Sequence, residues 1–366
     1  MRGAFVTSPL DEADLRTRVQ TCIDEELQGQ AVVLEELGPD VTDLLDQVGS
    51  LLAGGKRLRA AFLYWGHRAA GRPDSDALVR MATAMEFFQA AALIHDDVMD
   101  DSDTRRGMPA AHRALAAVHT ERGWGGDDER FGVAGAILAG NLCLTWTDEL
   151  VATSGLPVED LARGRVVFDR MRTQLMAGQY LDVVDSVRPW DDLPAAERID
   201  RAQRVIRYKS AKYTVEHPLL IGATAGGLGK DDLAHLSSYG LALGHAFQLR
   251  DDLLGVFGDP EATGKPAGDD LREGKRTVLI AHTLSGSDNI GREALRTHLG
   301  QPDLDTTAIN DLRAIITASG AVDAVEAEIT HLATTARTSL AAATTLDPAA
   351  AKILDQLVEI STARTA

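Results

Sequence analysis

The chain has 366 residues, 45% hydrophobic and 25% charged, enough to bury a sizeable core without disulfides or a structural metal. A net charge of −18 argues against a general binder of nucleic acid or anionic membrane; an anionic substrate would need a local basic patch or a divalent metal. The only cysteines, Cys22 and Cys143, have no metal-ligand spacing, and with no signal peptide or long apolar run a cytoplasmic protein is expected. Ala and Leu are abundant and alternating β-branched runs are scarce, so the chain reads as helical almost throughout. Leu15, Val19, Ile23 and Leu27 recur at helical spacing within residues 11–48, and Gly54-Gly55 breaks that region. A helix is predicted over 57–71, closed by Gly71-Arg72-Pro73, and another from Ser75 to about Asp101. Gly123–Asp128 signals a loop. Further helices fit 132–154, 157–184, 196–225, 231–257 and 276–285; Pro218 falls inside one and is expected to kink it. Residues 258–275 are rich in Gly, Pro and charge and read as a loop, long enough to be a lid. The C-terminal third looks like packed helices. No composition shift marks a boundary, so the expected architecture is one all-α domain over 1–366, a helical bundle with a site in its core.

Two acidic motifs stand out. In Ile94-His95-Asp96-Asp97-Val98-Met99-Asp100-Asp101, Asp96 and Asp100 are i and i+4 and share a helix face, where like charges repel. Oxygen ligands at that spacing suit Mg²⁺ with positions left open for substrate oxygens. A solvated acidic face would read the same way, but these acids follow the apolar run Ala90–Ile94. Asp251-Asp252 likewise close the apolar helix Tyr239–Leu249. Together the two motifs would hold several Mg²⁺ ions around one polyphosphate. The cations complete the pattern. Gly54-Gly55-Lys56-Arg57-Leu58-Arg59 places glycines before a helix with three cations, an anion site without the spacing of a Walker loop. Arg105 and Arg106 follow the first acidic motif by one or two turns. Lys209 and Lys212 precede the expected kink, and Lys265 and Lys275 sit in the expected lid. The remaining histidines form no metal motif, and no nucleophile elbow supports serine catalysis.

These elements, GGKRLR, LIHDDVMDDSDTRRGMPAAH, GQYLDV, KSAKYT, FQLRDDLLGVFGD and TGKPAGDDLREGK, resemble the trans-isoprenyl diphosphate synthases in order and content from about Gly54 to Thr277. The resemblance implies an all-α bundle around a cavity, usually a homodimer. It implies Mg²⁺-dependent head-to-tail condensation of an allylic diphosphate with isopentenyl diphosphate; the acidic charge and the short apolar windows separately lead one to expect neither a nucleic-acid partner nor a membrane span. By the same resemblance Asp96, Asp97 and Asp100 with Asp251 and Asp252 supply the metal-facing acids for three Mg²⁺ ions. Arg105, Lys209, Ser210, Gln248 and Lys265 would contact the allylic diphosphate, and Lys275 is a further candidate for substrate binding. Lys56, Arg59, Gln89 and Arg106 would hold isopentenyl diphosphate, and Gln179 and Asp182 would line the site. Gly255 departs from the pattern, standing where the second motif usually has a third aspartate. Ala91 and Ala92, five and four positions before Asp96, leave the chain-length tunnel open, and Phe88 is the next large side chain. The implied product is C20 geranylgeranyl diphosphate, with C15 or C25 and longer as alternatives. A class I terpene cyclase would not need the second diphosphate pocket. A non-catalytic partner subunit would tend to lose the first acidic motif or the cations, and a phosphohydrolase would release phosphate without isopentenyl diphosphate.

Overall fold

The computed structural model describes residues 8–190, 193–258, 268–301 and 303–363. Helices dominate, and the only strands among the described residues are the two-residue pair β1 (Thr104–Arg105) and β2 (Met108–Pro109). The described residues fall into two compact units. One is drawn from 1–167, 218–229 and 345–357, the other from 168–217, 230–344 and 358–366. Each gathers three separate stretches, so the division leaves no compositional mark.

In the first unit, α1 (Leu15–Glu35) and α2 (Thr42–Leu52) replace the continuous region suggested by periodicity. Gly38, at φ 86°, and Pro39 break it. Next come α3 (Leu58–Ala69) and α4 (Asp76–Met99). Ser75 caps α4, its hydroxyl accepting from the Leu78 N–H at 3.2 Å. The helix is apolar on nearly every side from Leu78 to Ile94, which in water demands burial. It is also the one described helix long and apolar enough to cross a membrane, but 72% of its most apolar window is buried inside the protein. After the hairpin come α5 (Ala111–Glu121), which periodicity did not reveal, and α6 (Asp128–Ala152). Asp127 accepts from the Arg130 N–H at 2.9 Å and starts α6 four residues before the predicted position. Helix α6 lies directly on α4: a Cβ at Gly140 would come within 2.2 Å of His95 Nε2.

The second unit takes the C-terminal part of α7 (Val158–Val187), then α8 (Ala195–Val205). Eleven residues, Ile206–Glu216, follow with wider π-helical winding before α9 (His217–Gly226), which from Pro218 belongs to the first unit. The His217 N–H donates to the Lys212 carbonyl, five residues back, and Pro218, which has no N–H to donate, comes next. The kink expected at Pro218 is thus met by a long change of winding upstream of it. Helix α10 (Lys230–Phe257) packs on this segment through Gly240 and Gly244, where a Cβ would meet Glu216 Cα at 2.7 Å and Ala211 Cα at 2.6 Å. The expected loop over 258–275 contains one helical turn, α11 (Asp269–Arg272); residues 259–267, with Lys265, lie outside the described residues. Then follow α12 (Val278–Gly286), α13 (Asn289–His298), α14 (Thr306–Ala318) and α15 (Ala321–Ala342), and last α16 (Pro348–Thr362), which belongs to the first unit up to Leu357. Leu249, Leu253 and Val256 of α10 build the core of this unit with Val278, Ile280, Leu312, Ile316, Val325 and Ile329.

Candidate active site

Helix α4 carries the first acidic motif out of the core of the first unit. Asp96 and Asp100 are half-buried, and Asp100 closes the helix, its N–H donating to the Asp96 carbonyl at 2.8 Å. Asp97 is buried, and its carboxylate accepts from Arg105, from Nε at 2.8 Å and from Nη2. That charge-assisted pair fixes Arg105 beside the motif. The two arginines do not continue the helix, contrary to the spacing in turns. Arg105 pairs with Met108 across a two-residue loop whose central residues, Arg106 and Gly107, have φ of 55° and 74°. A type I′ hairpin needs positive φ at both positions, which Gly107 adopts freely and Arg106 only with strain.

Something must repay that strain, and the Arg106 side chain shows what does. Its Nη1 donates to the carbonyls of Leu51 at 2.8 Å and Gly54 at 2.7 Å. The guanidinium lies against Gly55, where a Cβ would stand 3.3 Å from Nη2. The glycine-rich loop and the hairpin are therefore one structure. Arg57 is the loop's buried anchor: it donates to the Leu52 carbonyl at 2.5 Å and pairs with buried Glu86 of α4 at 3.4 Å. Glu86 also accepts from the Ala60 N–H at 3.1 Å, satisfying a donor in the first turn of α3. Lys56 is left exposed and Arg59 half-buried. Burial, with the nearby guanidinium groups of Arg57, Arg59 and Arg105, holds Arg106 below the usual guanidinium range. Such crowding of cations favours an anion. Gln89 lies three residues beyond Glu86 on α4 and is half-buried. Phe88 and Ala91 are buried, whereas Ala92 is half-buried.

In the second unit, Gly178 lets α7 press onto the π-wound segment; a Cβ there would lie 2.7 Å from the Lys209 backbone nitrogen. One turn on, Asp182 accepts from Lys209 Nζ at 2.6 Å. The elements GQYLDV and KSAKYT meet through that approach, with Gln179 and Ser210 half-buried beside it in sequence. Lys212 donates to buried Glu216 at 2.7 Å, and Ser237 donates to the same carboxylate at 2.6 Å. On α10, Gly240, Gly244, Gln248 and Asp252 follow at i+4 steps along one face. Arg250 points elsewhere, binding Glu326 and the Thr362 carbonyl. Asp251 is half-buried; Asp252 is buried and accepts from Gln248 Nε2 at 2.8 Å. Burial and the neighbouring Asp270 carboxylate push Asp252 up to about 7. Lys275 donates to Asp270 at 3.1 Å and pairs with Glu273 at 2.8 Å. Gly255 is explained here: a Cβ would stand 2.0 Å from Asp270 Oδ2. Two buried carboxylates that repel each other fit a divalent cation, whose charge would relieve the repulsion.

The structure thus joins Arg106 to the glycine-rich loop, Arg105 to Asp97, and Lys209 to Asp182, each within its own unit. Sequence reasoning missed Glu86, Asp270 and the anchoring role of Arg57. Glu86 left one signal, an acid inside the apolar run Met85–Phe88, and Asp270 left only the unexplained glycine at 255.

The chain matches the family model described as Polyprenyl synthetase over residues 42–316. A geranylfarnesyl diphosphate synthase of Aeropyrum pernix is 31% identical over 311 residues, 84% of this chain and 89% of that protein. The octaprenyl diphosphate synthase of Escherichia coli is 32% identical over 274 residues, 74% of this chain and 75% of its own length. Among solved structures, a geranylgeranyl pyrophosphate synthase from Corynebacterium glutamicum, complexed with isoprenyl diphosphate and magnesium, aligns with a TM-score of 0.90 at 38% identity. That alignment covers 96% of this chain and 99% of the other.

Proposed function

The chain belongs to the polyprenyl synthetase family and is a trans-prenyltransferase, and from that premise we propose that it condenses allylic diphosphates head-to-tail with isopentenyl diphosphate, ending at C20 geranylgeranyl diphosphate. The observation that carries this reading is the cation cluster of the first unit. Arg106 is docked on the glycine-rich loop, and Arg57, Arg59 and Arg105 crowd it. A second diphosphate pocket needs such a cluster, and a terpene cyclase does not. Lys56, Arg59, Gln89 and Arg106 hold isopentenyl diphosphate. Arg105, Lys209, Ser210, Gln248, Lys265 and Lys275 serve the allylic diphosphate. Asp96, Asp97 and Asp100, with Asp251 and Asp252, would hold three Mg²⁺ ions, whose charge offsets that developing on the leaving diphosphate. The allylic C–O bond breaks, the double bond of isopentenyl diphosphate forms the new C–C bond, and the proton lost passes to the released diphosphate. No side-chain base is assigned.

Product length rests on α4. Phe88, Ala92 and Asp96 follow at i+4 steps, and one helical turn, ~5 Å, is close to one isoprene unit. A floor at Phe88 rather than at Ala91 and Ala92 admits one unit beyond C15. The named relatives make products of different lengths, so similarity does not supply this assignment. We further read 1–366 as one cytoplasmic synthase domain, because the family match crosses stretches of both units without interruption. We read the oligomer as a homodimer formed through α6, where Phe131, Ala134, Leu138, Asn141 and Thr145 make an exposed stripe at i+3 and i+4 steps. The test is incubation of the purified chain with Mg²⁺, isopentenyl diphosphate and each of the C5, C10 and C15 primers. A C20 product is expected. Condensation ending at another length overturns the product assignment alone, whereas no condensation with any primer overturns the reaction.

A further inference from the structure

We propose that Glu86 and Arg57 form a positioning device for the isopentenyl diphosphate pocket, a role that rests on the pocket assignment above. Both side chains are buried, with exposures of 2% and 4%, and their charges lie 3.4 Å apart. A buried ion pair is poor value as stability alone, so its hydrogen bonds decide what it does. Glu86 holds the first turn of α3 through the Ala60 N–H. Arg57 reaches back to the Leu52 carbonyl and to Gln20 of α1, although its own backbone is left-handed at φ 55°. Lys56 precedes that anchored residue on a loop with two glycines and few side chains to stiffen it, and Arg59 follows it in the first turn of α3. Arg106 grips the same loop through the Leu51 and Gly54 carbonyls. The end of α2, the loop and the first turn of α3 are thus tied at Leu51, Leu52, Gly54 and Ala60 by two arginines and one carboxylate. Glu86 also stands on the helix that bears Gln89, so one element sets the spacing between Gln89 and the cations of the loop. Pre-ordering of this kind lowers the cost of binding a mobile anion.

The sign of one experiment separates this role from two simpler ones. Glu86 is a negative charge near an anion pocket, so by Coulomb's law alone Glu86→Gln should tighten isopentenyl diphosphate. Positioning demands the opposite. The glutamine keeps an oxygen for the Ala60 N–H but loses the ionic hold on Arg57. Steady-state kinetics on the full chain should show KM for isopentenyl diphosphate rising about tenfold, with KM for the allylic substrate and kcat changing less than about twofold. Arg57→Lys keeps the charge but cannot span the same acceptors, and should give the same split; it carries the test should Glu86→Gln fail to fold. An unchanged or lowered KM for isopentenyl diphosphate overturns the proposal. So does an equal rise for both substrates with a lowered melting temperature, which marks a purely structural pair. Lys56→Ala tests the pocket itself: an unchanged KM for isopentenyl diphosphate in a chain that still condenses overturns the pocket assignment rather than the Glu86–Arg57 linkage.

Discussion

Position 255 lacks a side chain for a reason that only the neighbouring turn supplies. The resemblance leads one to expect an aspartate there, and the absence of one reads in isolation as a lost ligand. In the structure the space belongs to Asp270, whose Oδ2 would be 2.0 Å from any Cβ. Gly255→Ala must therefore displace a buried carboxylate that Lys275 holds. Overpacking of this kind costs about 1–3 kcal/mol, which a thermal melt should register as a drop of several degrees. The double variant Gly255→Ala with Asp270→Ala should recover most of the stability, because the colliding group is gone. A single variant as stable as the parent would show that Asp270 moves away at no cost. The metal-facing acids carry a separate prediction. Asp96→Ala and Asp251→Ala should each lower kcat by at least a hundredfold, since each removes charge compensation where the leaving group ionises. Near-normal turnover of either in saturating Mg²⁺ would contradict its assignment.

Among elements, α4 was the most legible in sequence and the hairpin the least. The unbroken apolar run, the serine cap and the acidic end of α4 all followed from residue type and spacing. The hairpin did not, because Arg106 is an unusual residue at positive φ and its compensation lies about fifty residues back, at Leu51 and Gly54. Long-range contacts also hid Glu86, Gly178 and Asp270, each of which makes sense only against its partner. Local signals also left out how glycine and proline act with their neighbours: Gly38-Pro39 divides the region of helical spacing over 11–48 into two helices, and a π-wound stretch, Ile206–Glu216, precedes Pro218. Both elements can be tested. Gly107→Val puts a β-branched residue at φ 74°, and should raise KM for isopentenyl diphosphate severalfold by misplacing Arg106. On α4, Ala92→Phe is a better block than Ala91→Phe. Ala92 is half-buried, whereas Ala91 is fully buried and a ring there would have to enter packed core. Ala92→Phe should shorten the product toward C15 and Phe88→Ala should lengthen it, as read by chain-length analysis of the products. An unchanged distribution in both would remove α4 as the ruler.

At the scale of the whole molecule, buried titratable groups set how stability varies with acidity. Burial pushes His67 and His217 down to about 4, and both are almost wholly enclosed, at 3% and 2% exposure. Half-buried His245 is pushed down to about 4 by the same cause. In the unfolded chain these rings take up protons near 6.5, while the folded protein refuses them until about 4. Between those limits the unfolded state binds more protons, so stability is lost as the pH falls, by about 1.4 kcal/mol per pH unit for each histidine. Asp252 works in the opposite sense. Its carboxyl is pushed up to about 7, so on acidification the folded state gains a proton before the unfolded state does, and stability rises. Two fully enclosed histidines and a third partly enclosed one outweigh a single aspartate, and the melting temperature should fall from pH 7 to pH 5. Among the described residues the imidazole of His67 has no hydrogen-bond partner on either nitrogen, so His67→Gln should flatten that fall without abolishing it. Asp252→Asn should steepen it, because its compensating proton uptake is gone. A melting temperature that is level or rising between pH 7 and pH 5 would mean that these histidines are wetter in solution than their burial implies.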